Sequence, residues 1–255
     1  MKFNGIDPCT LHRGISIAKE IPPGTVTSQL ETLSGSDGEI IVGRTIKQGE
    51  YIVRVNIAGR YREEAWEIRK LLAGWARGTD AKTCELIPTR WPTVHYDAAL
   101  KDISMPEFVF GKTVVDIAFA VPRPIAVENA ARTAIGDGVG GAKPVIDGTS
   151  YARPTIMISC RASSSISLSV DDKVLFGLVG NVTDGERIKI FTNPPGVQIM
   201  SSVGENAGKW LDANERIDYT ITDFDALAKA FVPGERTVLC DQAGLILVDW
   251  RNEWL

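Results

Sequence analysis

The sequence predicts a mainly β protein that has one long helix and ends in an antiparallel β-sandwich. Residues 51–57 alternate apolar with mostly polar side chains, and apolar residues recur at helical spacing over about 62–77. After position 150, short strand-like segments are separated by turn residues about every ten positions. With 255 residues, the chain is long enough for two domains, each with its own core.

The first half of the chain contains two clear strands. Tyr51–Ile57 has the period of two that is typical of a strand with one buried face. Val114–Val121 has the same period, but its second face is also partly apolar. We therefore expect both faces of the second strand to be covered.

The helix lies between these strands and has clear ends. Its apolar residues follow the helical repeat, and Glu63 and Glu64 in the first turn suit the positive end of the helix dipole. Arg77 suits the last turn, and Gly78 provides the stop.

A change in composition predicts a domain boundary. Pro122-Arg123-Pro124 ends the second strand, and a glycine-rich stretch follows from Gly136 to Gly148. We predict an N-terminal domain of residues 1–135, a linker of 136–150 and a C-terminal domain of 151–255.

The C-terminal domain consists of short strands and turns. Residues Ile166, Leu168 and Val170 alternate with serines, and Asp171-Asp172 predicts the hairpin turn that follows. A short helical turn is expected at Asp225–Phe231. Further strands are expected at Ile156–Cys160, Arg187–Phe191, Gln198–Met200, Arg216–Ile221, Thr237–Cys240 and Leu245–Arg251.

The composition excludes several classes of protein. The 28 basic and 32 acidic residues give a net charge of −4, so nothing indicates nucleic-acid binding. No apolar run approaches the roughly 20 residues of a membrane span, and no secretory signal is evident, so we expect assembly in a cytoplasm. The four cysteines lie far apart, which favours buried free thiols over a zinc site or a disulfide framework.

The residues offer little for catalysis. His95 could act as a base oriented by Asp97, but no nucleophile accompanies it or His12, so a structural role is preferred. The glycine pattern 136–141 is followed by Lys143-Pro144 instead of a helix, which argues against a dinucleotide site.

The acidic pairs Asp171–Asp172 and Asp223–Asp225 could be read as glycosidase carboxylates, although pairs in turns are usually solvated. The loop Asp37-Gly38-Glu39 lacks the ligand count of a calcium site. We therefore expect no catalytic residue, cofactor or metal site.

Four tryptophans raise the question of sugar stacking, although a core or interface role is preferred: Trp91, Trp210, Trp250 and Trp254.

The order of these features resembles the phage distal tail protein family across the whole chain. The resemblance is specific over the first 125 residues and architectural after about residue 150. It is carried by Phe3-Asn4-Gly5-Ile6, the polar segment Ser34–Gly38, the strand entry from Arg44 to Ile57, Leu72-Ala73-Gly74-Trp75, Tyr96–Leu100, and Val115–Pro124.

The resemblance implies a structural protein of a long-tailed phage tail tip. An N-terminal β-barrel-like domain carrying the helix would form the inner belt of a ring, usually a hexamer, and a galectin-like sandwich would project outward. Expected partners are other copies of the chain, the tail tube protein, the tail hub protein and receptor-binding or baseplate proteins, without nucleic acid or membrane. The expected location is the virion tail tip, after assembly in the bacterial host. A carbohydrate-binding module that assists attachment to the host is the alternative, and an enzyme such as a glycosidase is a third reading.

A long polar segment is the candidate for contacts between subunits. Residues 25–48 exceed the length of an ordinary loop, so an arm or hairpin that pairs with a neighbouring subunit would explain them, whereas a surface loop without a partner is the alternative. The candidate interface residues are its polar members: Glu31, Asp37, Glu39, Arg44 and Lys47.

Overall fold

The computed structural model describes residues 1–24, 27–32, 39–45, 48–58, 62–78, 83–109, 112–201 and 204–254. For residues 27–32, 39–45, 109 and 112 it describes the backbone only. The chain divides into two compact units, an N-terminal unit of Met1–Asn129 and a C-terminal unit that starts at Ala130 and includes Trp254. Strands dominate both units, which confirms the mainly β prediction.

The N-terminal unit is built on one antiparallel sheet with a single long helix. The sheet has the order β1-β6-β7-β9-β5-β2, with β8 beside β9 and β10 beside β7, whereas β3 and β4 pair with each other. Its elements are β1 (Lys2–Phe3), a 3-10 turn (Pro8–Thr10), β2 (Ile15–Ile21), β3 (Thr27–Thr32), β4 (Glu39–Thr45), β5 (Gly49–Ile57), α1 (Arg62–Arg77), β6 (Cys84–Ile87), β7 (Val94–Ile103), β8 (Glu107–Val109), β9 (Lys112–Val121) and β10 (Ala126–Glu128).

The predicted strands and helix form the core of this unit. Strands β5 and β9 pair in register and bury alternate side chains, and the second face of β9 is partly covered, as the sequence predicts. Helix α1 buries Leu72 and Trp75, and the Trp75 indole lies edge-on to Phe3 and Phe119 at centroid distances of 5.8 and 6.0 Å. Each edge-to-face pair adds to the burial of apolar area. The helix prediction is therefore confirmed.

The sheet is not closed into a barrel. Within the described residues, β1 and β2 are its edges, because each pairs with one neighbour along the sheet. The expectation of a barrel-like domain is therefore confirmed only in part. The unit is mainly β and carries the helix, but its described strands do not close into a barrel. Besides its backbone ladder with β5, the edge strand β2 is linked to the rest of the unit by side-chain hydrogen bonds of Glu20.

The C-terminal unit is an antiparallel sandwich. One sheet has the order β11-β21-β13-β16-β17-β18, a second has the order β15-β14-β20, and β12 pairs with β19. Its elements are β11 (Arg132–Asp137), β12 (Val145–Ile146), β13 (Thr155–Cys160), β14 (Ser163–Val170), β15 (Lys173–Val182), β16 (Arg187–Thr192), β17 (Pro195–Met200), β18 (Trp210–Asp212), a 3-10 turn (Asn214–Arg216), α2 (Phe224–Ala230), β19 (Gly234–Glu235), β20 (Val238–Cys240), β21 (Ala243–Trp250) and β22 (Glu253–Trp254).

The inner faces of the two sheets form one core. Ile158 and Ile190 of the larger sheet and Leu168 and Phe176 of the smaller sheet are fully buried in the same cluster. The alternation of β14 with serines places one face inside and the other toward solvent, as predicted. Helix α2 begins at its N-cap Asp223, whose carboxylate accepts from the Ala226 amide, and it buries Leu227.

The glycine-rich stretch differs from the predicted linker. Gly136 lies inside β11, which pairs with β21, and the two units divide after Asn129. A Cβ at Gly136 would lie 1.9 Å from the Gly141 carbonyl oxygen, so the glycines permit a close approach of two backbone segments. Asp137 closes this turn by accepting from the Val139 amide at 3.0 Å.

Two further expectations are resolved in the C-terminal unit. The strand predicted at Arg216–Ile221 is wrong, because this segment leaves a 3-10 turn and contributes only an isolated bridge between Ile217 and Leu178. The last long strand, β21, stays in the sandwich, where it pairs with β11 and β13.

Candidate assembly interface

Strands β3 and β4 form the hairpin that we call the arm. Their antiparallel register runs from Thr27 opposite Thr45 to Thr32 opposite Glu39, with an irregularity after Gln29. Among the described strands, each pairs only with the other, so the outer backbone edges of both are unpaired. Such edges can accept a strand from another chain.

The candidate interface residues occupy different levels of the arm. Glu31 lies opposite Ile40, Glu39 lies opposite Thr32, and both are near the end of the hairpin that is distal to β2 and β5. Arg44 lies opposite Ser28, close to the other end. Asp37 and Lys47 lie outside the described residues. The contribution of these five residues to an interface stays a prediction.

The chain is tightly held where it enters and leaves the arm. Ile21, at the end of β2, pairs with Ile52 of β5, so the two strands that flank the arm are neighbours in the sheet. A Cβ at Gly49 would lie 2.4 Å from the Cβ of Pro23 and 3.1 Å from the Cβ of Pro124. Only glycine leaves room for this contact, so Gly49 packs closely against the two prolines.

Glu20, Tyr51 and Thr89 form a hydrogen-bonded group, which we call the Glu20 cluster, and it holds the strand that precedes the arm. The Tyr51 hydroxyl donates to Glu20 Oε2 at 2.6 Å, and the Thr89 amide donates to the same oxygen at 3.1 Å. The Thr89 hydroxyl donates to Glu20 Oε1. The cluster thereby joins β2, β5 and the connection between β6 and β7.

The ionisation of the cluster follows from its hydrogen bonds. Burial by itself raises the pKa of Glu20, but the hydrogen bonds from Thr89 and Tyr51 outweigh it and hold that pKa below the ordinary value. Burial and the neighbouring Glu20 carboxylate raise the pKa of Tyr51 far above its usual range. The neutral Tyr51 phenol therefore donates to a charged Glu20 carboxylate, and such a hydrogen bond is stronger than one between two neutral groups.

The two histidines have structural partners. His95 is buried, and its Nδ1 lies 2.8 Å from Asn129 Oδ1, while Asn129 Nδ2 donates to the Pro92 carbonyl at 2.8 Å. Asp97, the suggested orienter, lies opposite Glu85 in the sheet and is not the partner of His95. The ring of His12 accepts from the Gly14 amide. These contacts support the structural role preferred for both histidines.

The acidic pairs shape turns and a helix end. Asp171 and Asp172 have φ of 49° and 65° and form the two-residue loop between β14 and β15, as predicted. Asp171 accepts from the Thr237 amide at 2.8 Å and from Arg236, and that backbone hydrogen bond is the main cause of its lowered pKa. Asp225 pairs with Lys229 along α2. In the part of the chain that the structure describes, no group of three potential ligands could hold a metal ion.

The tryptophans divide between core and surface. Trp250 is buried and its indole donates to Asn252 Oδ1 at 3.2 Å, whereas Trp91 is about half exposed. On the outer face of the sandwich, the Lys189 ammonium lies 5.7 Å from the Trp210 ring centroid and 5.1 Å from that of Phe191. The ammonium therefore occupies one face of each ring, where a sugar would otherwise stack.

The cysteines are free, and three of the four are buried. Burial raises the pKa of Cys160 to about 12 and that of Cys240 to about 11. Cys84 is also buried, but Cys9 is exposed, so the expectation of buried thiols is wrong for that residue. Neither helix of the described chain combines the length and hydropathy that crossing a membrane requires.

Comparison with known proteins shows a shared fold. No family model and no curated protein matches the sequence. The crystal structure of the Dit protein of phage SPP1, described as a paradigm of the hub adsorption apparatus of phages that infect Gram-positive bacteria, superimposes with a TM-score of 0.75. The match covers 99% of this chain and 98% of that chain at 12% identity. The chain has the fold of SPP1 Dit. A chain of the phage P2 baseplate, in its activated conformation with calcium, matches with a TM-score of 0.50 and 12% identity over 94% of this chain and 90% of that one. These neighbours are consistent with the phage distal tail resemblance of the sequence.

Sequence reasoning missed the cluster around Glu20. The alternation of β5 marks Tyr51 as a core residue, but nothing local indicates that its hydroxyl meets a carboxylate on β2. The partners Glu20 and Thr89 are far apart in the sequence, and only the sheet topology brings them together.

Proposed function

We propose that this chain is a structural subunit of a phage tail tip, where it forms a ring between the tail tube and the hub. The observation that carries the proposal is the match to SPP1 Dit along almost the entire length of both chains. A second neighbour is a chain of the phage P2 baseplate. By analogy, the subunits assemble in the host cytoplasm as a hexamer, and the sandwich units hold receptor-binding or baseplate proteins.

The arm supports this proposal physically. A ring is built from head-to-tail contacts, so each subunit needs two unlike surfaces that fit each other. A hairpin with unpaired edges can pair with a neighbour without disturbing the core of its own unit. We assign the arm to that role, with Glu31, Asp37, Glu39, Arg44 and Lys47 as its polar contact residues.

The first experiment is the solution mass of the purified protein, measured by light scattering at several concentrations and imaged in parallel by negative-stain electron microscopy. The subunit has a mass of 27.7 kDa, so a particle of six times that mass is easily distinguished from a monomer. Rings, or a mass that rises toward the hexamer with concentration, are the expected result. A strict monomer at millimolar concentration, alone and after addition of purified tail tubes, would overturn the proposal.

Deletion of Ser34–Glu39 tests the assigned role of the arm. The deletion removes the segment between β3 and β4 together with the last residue pair, Thr32 with Glu39, so each subunit should keep most of its far-UV circular dichroism spectrum while ring formation weakens. An unchanged ring would refute the assignment of the arm while leaving the ring itself in place.

The carbohydrate-binding alternative has a separate test. The Lys189 ammonium covers one face of each of the Trp210 and Phe191 rings, which disfavours stacking of a sugar on them. A glycan array with the wild type and a Trp210→Ala variant decides the question. Binding that is lost in the variant would establish a lectin function for the sandwich.

A further inference from the structure

Among the described strands, the two main sheets of the sandwich have four edge strands, and three of them are protected against pairing with another chain. Strands β18 and β20 have three residues each, which is too short for a stable ladder. The longer strand β15 is covered by the segment 216–223. Its carbonyl oxygens accept hydrogen bonds from the amides of Asp218 and Asp223 and from the Arg216 guanidinium.

Strand β11 is the fourth edge strand, and its outer backbone edge is open. It has six residues and pairs along its length only with β21. The Asp137 carbonyl points away from β21, because it accepts from the Gly141 amide in the turn that follows. Backbone groups along a strand alternate in direction, so the N–H and C=O groups of Thr133 and Ile135 point the same way. In the part of the chain that the structure describes, these groups have no backbone partner on that edge.

Two large aliphatic side chains are exposed along this edge. Ile135, in the middle of β11, is 65% exposed, and Val139, in the turn after it, is 85% exposed. Leu247 lies opposite Ile135, and Met157 lies opposite Leu247, so an apolar row continues across the outer face of the sheet. Charged side chains commonly protect edge strands, but residues 133–136 carry no charge. An open edge of this kind is typical of a site where a further strand is added.

The charged groups beside the edge have partners within the subunit. Arg132 forms an ion pair with Asp147. Asp137 accepts hydrogen bonds from two backbone amides of its own turn, and Arg161 lies near it. Asp249 of β21 accepts from a hydroxyl group of β11 at 2.6 Å. Both signs of charge are therefore present and partnered, so backbone pairing and apolar contact decide which partner fits the edge.

We propose that β11 of one copy pairs antiparallel with β11 of a second copy, with Ile135 opposite the partner's Ile135. The outward-facing backbone groups of these two residues then exchange two hydrogen bonds. The overlap extends along the whole open edge, with Thr133 opposite the partner's Asp137. The exposed Val139 side chain comes to lie near the beginning of the partner's β11, where Ala131 is small.

The same register keeps like charges apart. Because each Asp137 lies opposite a Thr133, the two Asp137 carboxylates are separated by about 13 Å along the strands, at roughly 3.3 Å per residue. This separation exceeds the Debye length of about 8 Å in physiological salt. A register centred on Asp137 would instead place two carboxylates directly opposite each other, which destabilises a strand pair. The edge therefore fits a second copy of itself.

This contact goes beyond the proposed ring and does not depend on it. A two-fold contact uses the same surface on both copies, so it joins two copies and then stops. The head-to-tail contact assigned to the arm instead repeats around a ring. In a ring-forming protein, the β11 contact therefore links subunits of two rings, and several such contacts act together.

Charge introduced at Ile135 tests the contact, because this residue faces its own copy across the two-fold axis. Ile135→Lys and Ile135→Glu each place like charges opposite each other, so each variant alone should associate about tenfold more weakly than the wild type. An equimolar mixture of the two variants places opposite charges across the axis and should recover most of the affinity. Sedimentation equilibrium of the full chain at several concentrations measures these affinities. The wild-type particle should reach twice the mass of the particle that either variant forms.

Val174→Lys is the matched control. Val174 is 47% exposed and lies on β15 of the other sheet, so the change adds a charge without altering the β11 edge. Its particle should have the mass of the wild type. Ile135 is mostly exposed, so all three variants should keep the far-UV circular dichroism spectrum of the wild type.

Three results would each overturn the β11 contact: a wild type whose mass never doubles, Ile135 variants that associate like the wild type, or a mixture that recovers no affinity. The proposed function is judged separately by the particle that doubles. Doubling of a ring supports both proposals, whereas doubling of a monomer to a dimer supports the β11 contact and counts against the ring.

Discussion

Replacement of Tyr51 by phenylalanine tests whether the Glu20 cluster fixes the strand before the arm. Tyr51 is 1% exposed, and the change removes only the hydroxyl that donates to Glu20 at 2.6 Å. A hydrogen bond to a charged group contributes about 1.5–3 kcal/mol. Glu20 keeps its two donors from Thr89 and is partly accessible to water, so we expect a loss near the lower limit, about 1.5 kcal/mol.

Tyr96→Phe is the matched control for this prediction. The two tyrosine rings lie 5.7 Å apart and both are buried, but the Tyr96 hydroxyl forms no hydrogen bond within the part of the chain that the structure describes. The same loss of a phenol oxygen should therefore have almost no effect at Tyr96.

Hydrogen exchange of the β2 and β5 amides, followed by mass spectrometry, measures the effect locally. A loss of about 1.5 kcal/mol accelerates exchange from the opened strand by roughly tenfold. Equal exchange rates in Tyr51→Phe and Tyr96→Phe would show that the Glu20 cluster does not hold β2 in place.

Three further predictions concern ionisable groups and turns. Because the pKa of Glu20 is lowered in the folded state, its contribution to stability is present above the unfolded pKa and is lost as the pH falls through the folded value. Thermal unfolding between about pH 6 and 3 should therefore depend less steeply on pH in Glu20→Gln than in the wild type. At the β14–β15 turn, Asp172→Gly should stabilise the protein by about 0.5 kcal/mol, because glycine adopts the positive φ without strain. Asp171→Gly relieves the same strain but removes the acceptor for the Thr237 amide, so it should destabilise the protein by about 1 kcal/mol. Equal unfolding midpoints for the two glycine variants would contradict this assignment. Iodoacetamide at pH 8 should label Cys9 in the native protein and reach Cys160 only after unfolding, and rapid native labelling of Cys160 would show that its burial is not maintained.

The elements that follow from the sequence are those that local periodicity determines. Helix α1 and strands β5 and β14 each have a single fully buried face, so the repeat of apolar residues identifies both the element and its orientation. The turn at Asp171-Asp172 was also predictable, because aspartate tolerates the positive φ of a two-residue hairpin loop better than most residues.

The remaining features depend on contacts between distant parts of the chain. Glycines at 136–141 have the composition of a linker, but their backbone segments pack against each other, and composition alone does not distinguish these two cases. Arg216–Ile221 alternates like a strand, but its residues turn away after the 3-10 segment, where Arg216 donates to the carbonyls of Gly180 and Asn181.

The location of the arm separates ring formation from the function of the sandwich. The arm, to which we assign the contact between subunits within the ring, belongs to the N-terminal unit. The sandwich has its own complete core, in which the buried residues of two sheets and α2 pack together. Its outer face is therefore free to change for attachment of different partners while the ring contact is retained. An Asp184→Lys/Glu205→Lys variant, with both changes on the exposed surface of the C-terminal unit, should therefore form the same ring as the wild type. A loss of ring formation in that variant would show that the sandwich also takes part in the contact between subunits within the ring.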